Sequence, residues 1–158
     1  MKIFFDTEFI EDGRTIELLS IGMVREDGLE FYSEAMWTDR SRASDWVREN
    51  VIPNLTGPGH WTREKMATDI ISFAGLNPEF WAYYADYDWV VLCQLFGTMM
   101  DLPGSWPMYC RDFKQWLDDN GNPRMSEQGS MHHNAIADAR HLKENFDALM
   151  NADAPPSP

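Results

Sequence analysis

Lys2-Ile3-Phe4-Phe5-Asp6-Thr7-Glu8-Phe9 decides how this chain is read. A strand alternates its side chains, so Ile3, Phe5, Thr7 and Phe9 share one face, and Phe4, Asp6 and Glu8 share the other. The first half is apolar on both faces, which predicts a central strand covered on both sides. The second half then places two acids on one face, two residues apart. Paired carboxylates beside an apolar core repel each other and are poorly solvated. Two readings stay open on this stretch alone: the strand has ended and the acids are solvated, or a hard divalent cation such as Mg²⁺ or Mn²⁺ neutralises them.

Outward from that strand, Glu11-Asp12-Gly13 and Glu26-Asp27-Gly28 are turn signals. They bracket strand patterns at Thr15–Arg25 and Leu29–Ser33, which predicts an antiparallel meander. Helices are expected at Ala43–Val51 and Thr62–Ala74, with a Pro/Gly loop at Asn54–His60 between them. Phe80–Ala85 reads as a buried strand and Trp89–Gly97 as a helix with Asp88 at its N-cap. Pro107–Cys110 reads as a short strand and Phe113–Asp118 as a short helix. Asn122–Ser130 is polar and reads as a mobile loop. Ala135–Met150 is a long helix whose stripe is Ala135, Ala139, Leu142, Phe146 and Leu149. A meander followed by alternating strands and helices predicts one mixed α/β sheet with helices on its faces.

The chain has 158 residues, so one domain is expected over 1–151, with 152–158 as a flexible Pro-rich tail. A hydrophobic share of 44% supports a real core and excludes global disorder, despite a net charge of −13. No apolar run is long enough to cross a membrane, and the start does not read as a secretory signal, so a cytoplasmic protein is expected. Cys93 and Cys110 lack metal-ligand spacing and read as reduced thiols. The negative charge argues against a broad basic footprint for nucleic acid. A metal site built from carboxylates would carry the same charge and still attract phosphate.

Two further clusters carry chemistry. Asp86-Tyr87-Asp88 follows a predicted buried strand. His132-His133-Asn134-Ala135-Ile136-Ala137-Asp138 opens the last helix, where Asp138 borders the buried stripe and calls for a partner. A bridge to Arg140 is disfavoured, because residues two apart on a helix do not face each other.

In order and spacing, Asp6-Thr7-Glu8, Tyr87-Asp88 and His133 with Asp138 resemble the three motifs of the DEDDh branch of 3′–5′ exonucleases. The likeness runs from the first strand to the last helix. Phe5-Asp6-Thr7-Glu8-Phe9-Ile10-Glu11-Asp12-Gly13, Ile16-Glu17-Leu18, Ser20-Ile21-Gly22 and Leu92-Cys93-Gln94-Leu95 further resemble the ribonuclease AS-like, polyadenylate-specific exoribonucleases. This resemblance implies a ribonuclease H-like fold: a mixed five-stranded sheet flanked by helices. It implies two divalent metal ions, Mg²⁺ or Mn²⁺, held by Asp6, Glu8, Asp88 and Asp138. Asp6 would bridge the ions, Glu8 and Asp138 would complete one site, and Asp88 would serve the second. Asp86 also stands in the second motif, and whether it shares the metal role stays open.

His133 is then the expected general base. With the ordinary histidine pKa of ~6.5, activity is expected to rise from acid to neutral pH. Thr7 and Phe9 would contact the terminal nucleotide, Phe9 by stacking; a core-packing role for Phe9 is an equally good reading. The implied reaction removes 5′-mononucleotides from single-stranded RNA 3′ ends, with adenylates preferred, in a homodimeric enzyme. Two other readings compete: a 3′–5′ exonuclease acting on DNA, and a non-enzymatic acidic protein that binds a basic partner.

Overall fold

The protein is described by a computed structural model, which covers residues 1–129 and 132–152. The expected tail beyond Ala152 lies outside the described residues. The strands are β1 (Lys2–Glu11), β2 (Ile16–Arg25), β3 (Glu30–Ala35), β4 (Gly59–His60), β5 (Glu79–Ala82) and β6 (Arg111–Asp112). The helices are α1 (Asp45–Asn50), α2 (Arg63–Ala74), α3 (Asp86–Gln94), α4 (Phe113–Asp119) and α5 (Ala135–Ala152). The sheet order is β4-β3-β2-β1-β5-β6. β1, β2 and β3 form the expected antiparallel meander, while β4, β5 and β6 join in parallel.

The alternation in β1 builds both apolar layers. Ile3 and Phe5 pack with Ile21, Met23, Met66, Ile70 and Leu92, which fills the side covered by α2 and α3. Phe4 points the other way, into Trp81, Phe113, Leu142 and Phe146 under α4 and α5. A third group, Ile10, Leu19, Ala43 and Val51, seats α1 at the far end of β1. The helix starts follow local chemistry: the Ser44, Thr62 and Asp112 side chains cap α1, α2 and α4. The Asn134 side chain accepts from the Ala137 N–H at 3.2 Å and does the same for α5.

Several boundaries differ from those expected. The sheet has a sixth strand because Gly59 and His60, inside the predicted loop, pair with Glu34 and Ala35. β6 forms at Arg111–Asp112 and not at Pro107–Cys110, because those two residues align with Trp81 and Ala82. α3 starts at Asp86, so Asp88 lies within its first turn and is not its cap. Two features turn the chain early there: Tyr84 adopts a positive φ of 57°, and Asp112 accepts from the Ala85 N–H at 3.1 Å. The segment before α5 is tied to it, since Ser126 N donates to Asn145 Oδ1 at 2.7 Å and Met125 packs on the core. No helix among the described residues is long and apolar enough to cross a membrane. Cys93 and Cys110 are both free thiols.

α5 meets the backbone of the sheet directly at Gly22. A Cβ on Gly22 would overlap the backbone of Ala135 and Ile136. Gly22 is also the cross-strand partner of Asp6, so the helix start lands on the face where Asp6 projects. Gly22→Ala is therefore expected to lower stability by ~1–3 kcal/mol, as overpacking does, and to displace the start of α5. Gly104→Ala is the control, since a Cβ there meets open space. Thermal melts of the two variants check this; equal melting temperatures would remove the proposed constraint.

Candidate active site

β1 and β5 pair from Lys2 and Glu79 only as far as Phe4 and Trp81. Beyond that point the pairing ends, and a cavity lined by Asp6, Glu8 and Tyr83 lies at the carboxyl ends of the two strands, where open α/β sheets bind ligands. Asp6 and Glu8 project from β1 on the side of α5. Asp138, in the first turn of α5, faces them. One carboxylate oxygen from each of these three acids lies within 4.8 Å of the others. All three are half-buried.

Asp88 reaches the group from a different direction. Its side chain, 6% exposed, meets the edge of β1 left open by β5. There its Oδ1 accepts from the Thr7 N–H at 2.9 Å and the Thr7 hydroxyl at 2.5 Å. The Thr7 side chain is thus occupied in holding Asp88. Asp86 is exposed on α3 and stands outside the three-acid group.

The electrostatics follow from crowding. Burial, then the charges of Asp88, Asp138 and Glu8, hold the Asp6 carboxyl well above its ordinary value. Burial, then Asp138 and Asp88, push Glu8 up to about 8. Burial raises Asp88 to about 6, against the two Thr7 hydrogen bonds, which favour its ionised form. Asp138 accepts from the Gln128 amide and from the Asn134 N–H, the latter at 3.1 Å. These carboxylates carry more hydrogen-bond acceptors and more negative charge than the protein neutralises. A hard divalent cation is the ligand that such a donor set fits.

His133 is exposed and lines the same cavity of about 520 Å³ as Asp6, Glu8 and Asp138. It sits at a positive φ of 59°, a conformation a non-glycine residue adopts only when its surroundings hold it. Asn54 Nδ2 donates to the carbonyls of His132 and His133 at 3.3 and 3.2 Å, and Asn134 Nδ2 donates back to the Asn54 carbonyl at 3.3 Å. The His133 ring meets the edge of Trp46 at 4.8 Å. Phe9 lines the cavity too and packs edge-on against Tyr87 at 5.7 Å.

Asn54, Trp46 and Gln128 were not singled out by the sequence reading. Each acts from a distant or irregular segment, and none stands in a periodic pattern that would mark it. Asp138 leaves Arg140 alone, as helix geometry requires; Arg140 pairs with Glu30 instead. Arg111, Lys114 and Arg124 each pair with an acid: Glu79, Asp118 and Glu127.

A family model described as the 3′-5′ exoribonuclease Rv2179c-like domain matches residues 1–150. The 3′-5′ exoribonucleases Rv2179c and MT2234.1, from two strains of Mycobacterium tuberculosis, are each 41% identical over 160 residues. Those matches cover 97% of this chain and 95% of each relative. Among solved structures, cell-death related nuclease 4 superposes with a TM-score of 0.65 at 13% identity, over 97% of this chain and 64% of its own. The nuclease domain of 3′hExo, a DEDDh family member bound to rAMP, gives 0.60 at 12% identity, over 96% and 92%. At such identities these two structures speak to the fold, which is the ribonuclease H-like one that the motifs implied. The family match spans nearly the whole chain and both mycobacterial relatives align over nearly their full length, so this chain belongs to the Rv2179c-like family of 3′–5′ exoribonuclease domains.

Proposed function

We propose that the chain hydrolyses the last phosphodiester of single-stranded RNA 3′ ends and releases 5′-mononucleotides. Asp6, Glu8, Asp88 and Asp138 would hold two divalent cations, Mg²⁺ or Mn²⁺, with Asp6 shared between them. The observation that carries this reading is the three-acid group on β1 and α5, lining one cavity with His133. When bound, such ions acidify an attacking water and neutralise charge on the phosphate and the leaving oxygen. His133 accepts the proton of that water at a ring nitrogen. The Asn54 clamp and the Trp46 edge keep the imidazole at the cavity wall. Thr7 acts on the metal site through Asp88, and its backbone and Phe9 border the terminal nucleotide. Preference for adenylate ends is inherited from the sequence resemblance.

A time course on 5′-labelled RNA ending in adenylates tests the reaction. The expected product is a ladder that shortens from the 3′ end and disappears with chelator. His133→Ala is expected to slow it ~10²–10⁴-fold, the usual contribution of a general base. A loss of only a few-fold would take that role from His133. DNA of the same sequence and RNA ending in cytidylates, run alongside, decide sugar and base preference.

Metal loading has a separate readout. In the folded protein Glu8 and Asp88 are raised to about 8 and about 6, so the native state retains protons that the unfolded chain has released. Their contribution to stability is complete below the unfolded values and is lost as pH rises through the folded ones. Metal-free protein is therefore expected to melt at lower temperature at pH 8 than at pH 5. Mn²⁺ at a hundredfold excess over its Kd is expected to restore ~2.7 kcal/mol. The gain should be larger at pH 8, where the acids release their protons readily, and smaller in Asp138→Asn. Melting temperatures at pH 8 that do not respond to Mn²⁺ would sink the metal assignment.

A further inference from the structure

The chain carries 13 Lys and Arg residues. Among the described residues, eleven of them have a carboxylate within ion-pair distance, and Arg63 lies over the Trp37 ring at 5.7 Å. Arg14 alone has neither a carboxylate nor a ring partner. It sits on the β1–β2 turn, where only its backbone N–H is bonded, to Asp12 at 3.0 Å. The acids beside it are already engaged: Glu11 accepts from the Gly13 N–H at 2.5 Å, and Asp12 pairs with Arg42 at 3.0 Å.

Arg14 lines a groove of about 220 Å³ together with Glu11, Thr15, Ile16 and Tyr87. Tyr87 is 53% exposed and touches Phe9. Phe9 lies in the wall of the active-site cavity, so cavity and groove are joined through the Phe9–Tyr87 contact. A second groove also leaves the cavity, past Gln128 and His141. That one is lined by Glu127 and Glu144, and its cation, Arg140, is held by Glu30 at 2.5 and 2.7 Å. A polyanion leaving the cavity meets two carboxylates and a committed arginine on that side, and one carboxylate, an uncommitted guanidinium and an exposed ring on the other.

We propose that this groove is the subsite for the penultimate nucleotide of the RNA, with its base stacked on Tyr87 and its 5′-phosphate bound by Arg14. The inference rests on the exoribonuclease reading above. Stacking on an aromatic face tolerates any base, and an arginine fork matches a phosphate, so the subsite grips a strand without reading its sequence.

The test measures kcat/KM on three dinucleotide substrates: adenylyl-adenosine with a 5′-phosphate, the same without it, and the phosphorylated form with an abasic first residue. In the wild-type protein, removing the 5′-phosphate is expected to cost several-fold and removing the base roughly tenfold. Arg14→Gln is expected to abolish the penalty for the missing phosphate and keep the penalty for the missing base. Tyr87→Ala is expected to do the reverse, and Tyr87→Phe to restore the base penalty. With longer RNA, Arg14→Gln should lower the slope of log affinity against log salt by ~0.7, the value for one phosphate contact on a single strand. Penalties equal in wild type and variants would overturn the subsite. A wild-type protein that cleaves none of the three substrates, with metal bound, would overturn the exoribonuclease reading itself.

Discussion

The start of α5 rests directly on the backbone of β2 at Gly22, with no side chain between them. Most of the site depends on that contact. Asp6 is the cross-strand partner of Gly22, so whatever lies over Gly22 lies beside Asp6. A helix normally packs 8–10 Å from its neighbour, a spacing set by side chains. Removing the side chain brings the helix in far enough for Asp138 to face Asp6 and Glu8. The buried stripe of α5, running through Ala135, Ala139, Leu142 and Phe146, then fixes its rotation. Two small residues at the start let it approach, and two large ones further along hold it down.

That approach collects carboxylates where charge is expensive, and the surroundings are arranged to tolerate it. Thr7 gives two hydrogen bonds to Asp88, while the Asn134 N–H and the Gln128 amide serve Asp138. Among the described residues Asp6 and Glu8 receive no comparable relief, and their carboxyls are displaced upward. The protein thus spends stability at this point and recovers it from Phe4, Phe5 and the aromatic layers on either side of β1. One left-handed residue lies in the same place: His133 keeps its positive φ while Asn54, from a distant turn, holds the carbonyls on either side of it.

What the sequence made legible was periodic. The two-residue repeat of β1 set both core faces and aimed Asp6 and Glu8 together. The stripe of α5 brought Asp138 to the sheet. The start of α3 was not legible, because it depends on Asp112 reaching Ala85 from another strand. β4 and β6 are two-residue strands, too short for any period to show, and they exist only because a neighbour offers its edge. Asn54 sat in a loop with nothing local to mark it. Tyr87 stands in the second motif as the aromatic residue before Asp88, but the motif says nothing of its exposed ring, which shows only with Phe9 placed beside it.

A net charge of −13 is often taken to oppose nucleic-acid binding, yet it is compatible with this family. The distribution of the charge matters more than its total. Nearly every cation is neutralised by a nearby acid, which leaves no extended basic track along which a long strand would be retained. Affinity that does not come from many phosphate contacts must come from a few contacts close to the cleaved bond. Such an enzyme binds the strand end, and each released nucleotide removes much of what held the strand. If the acids at the end of β1 hold cations as proposed, they and the Arg14–Tyr87 groove would form a grip confined to the terminus. On that proposal, the same acidity that weakens hold on the body of an RNA would favour its end.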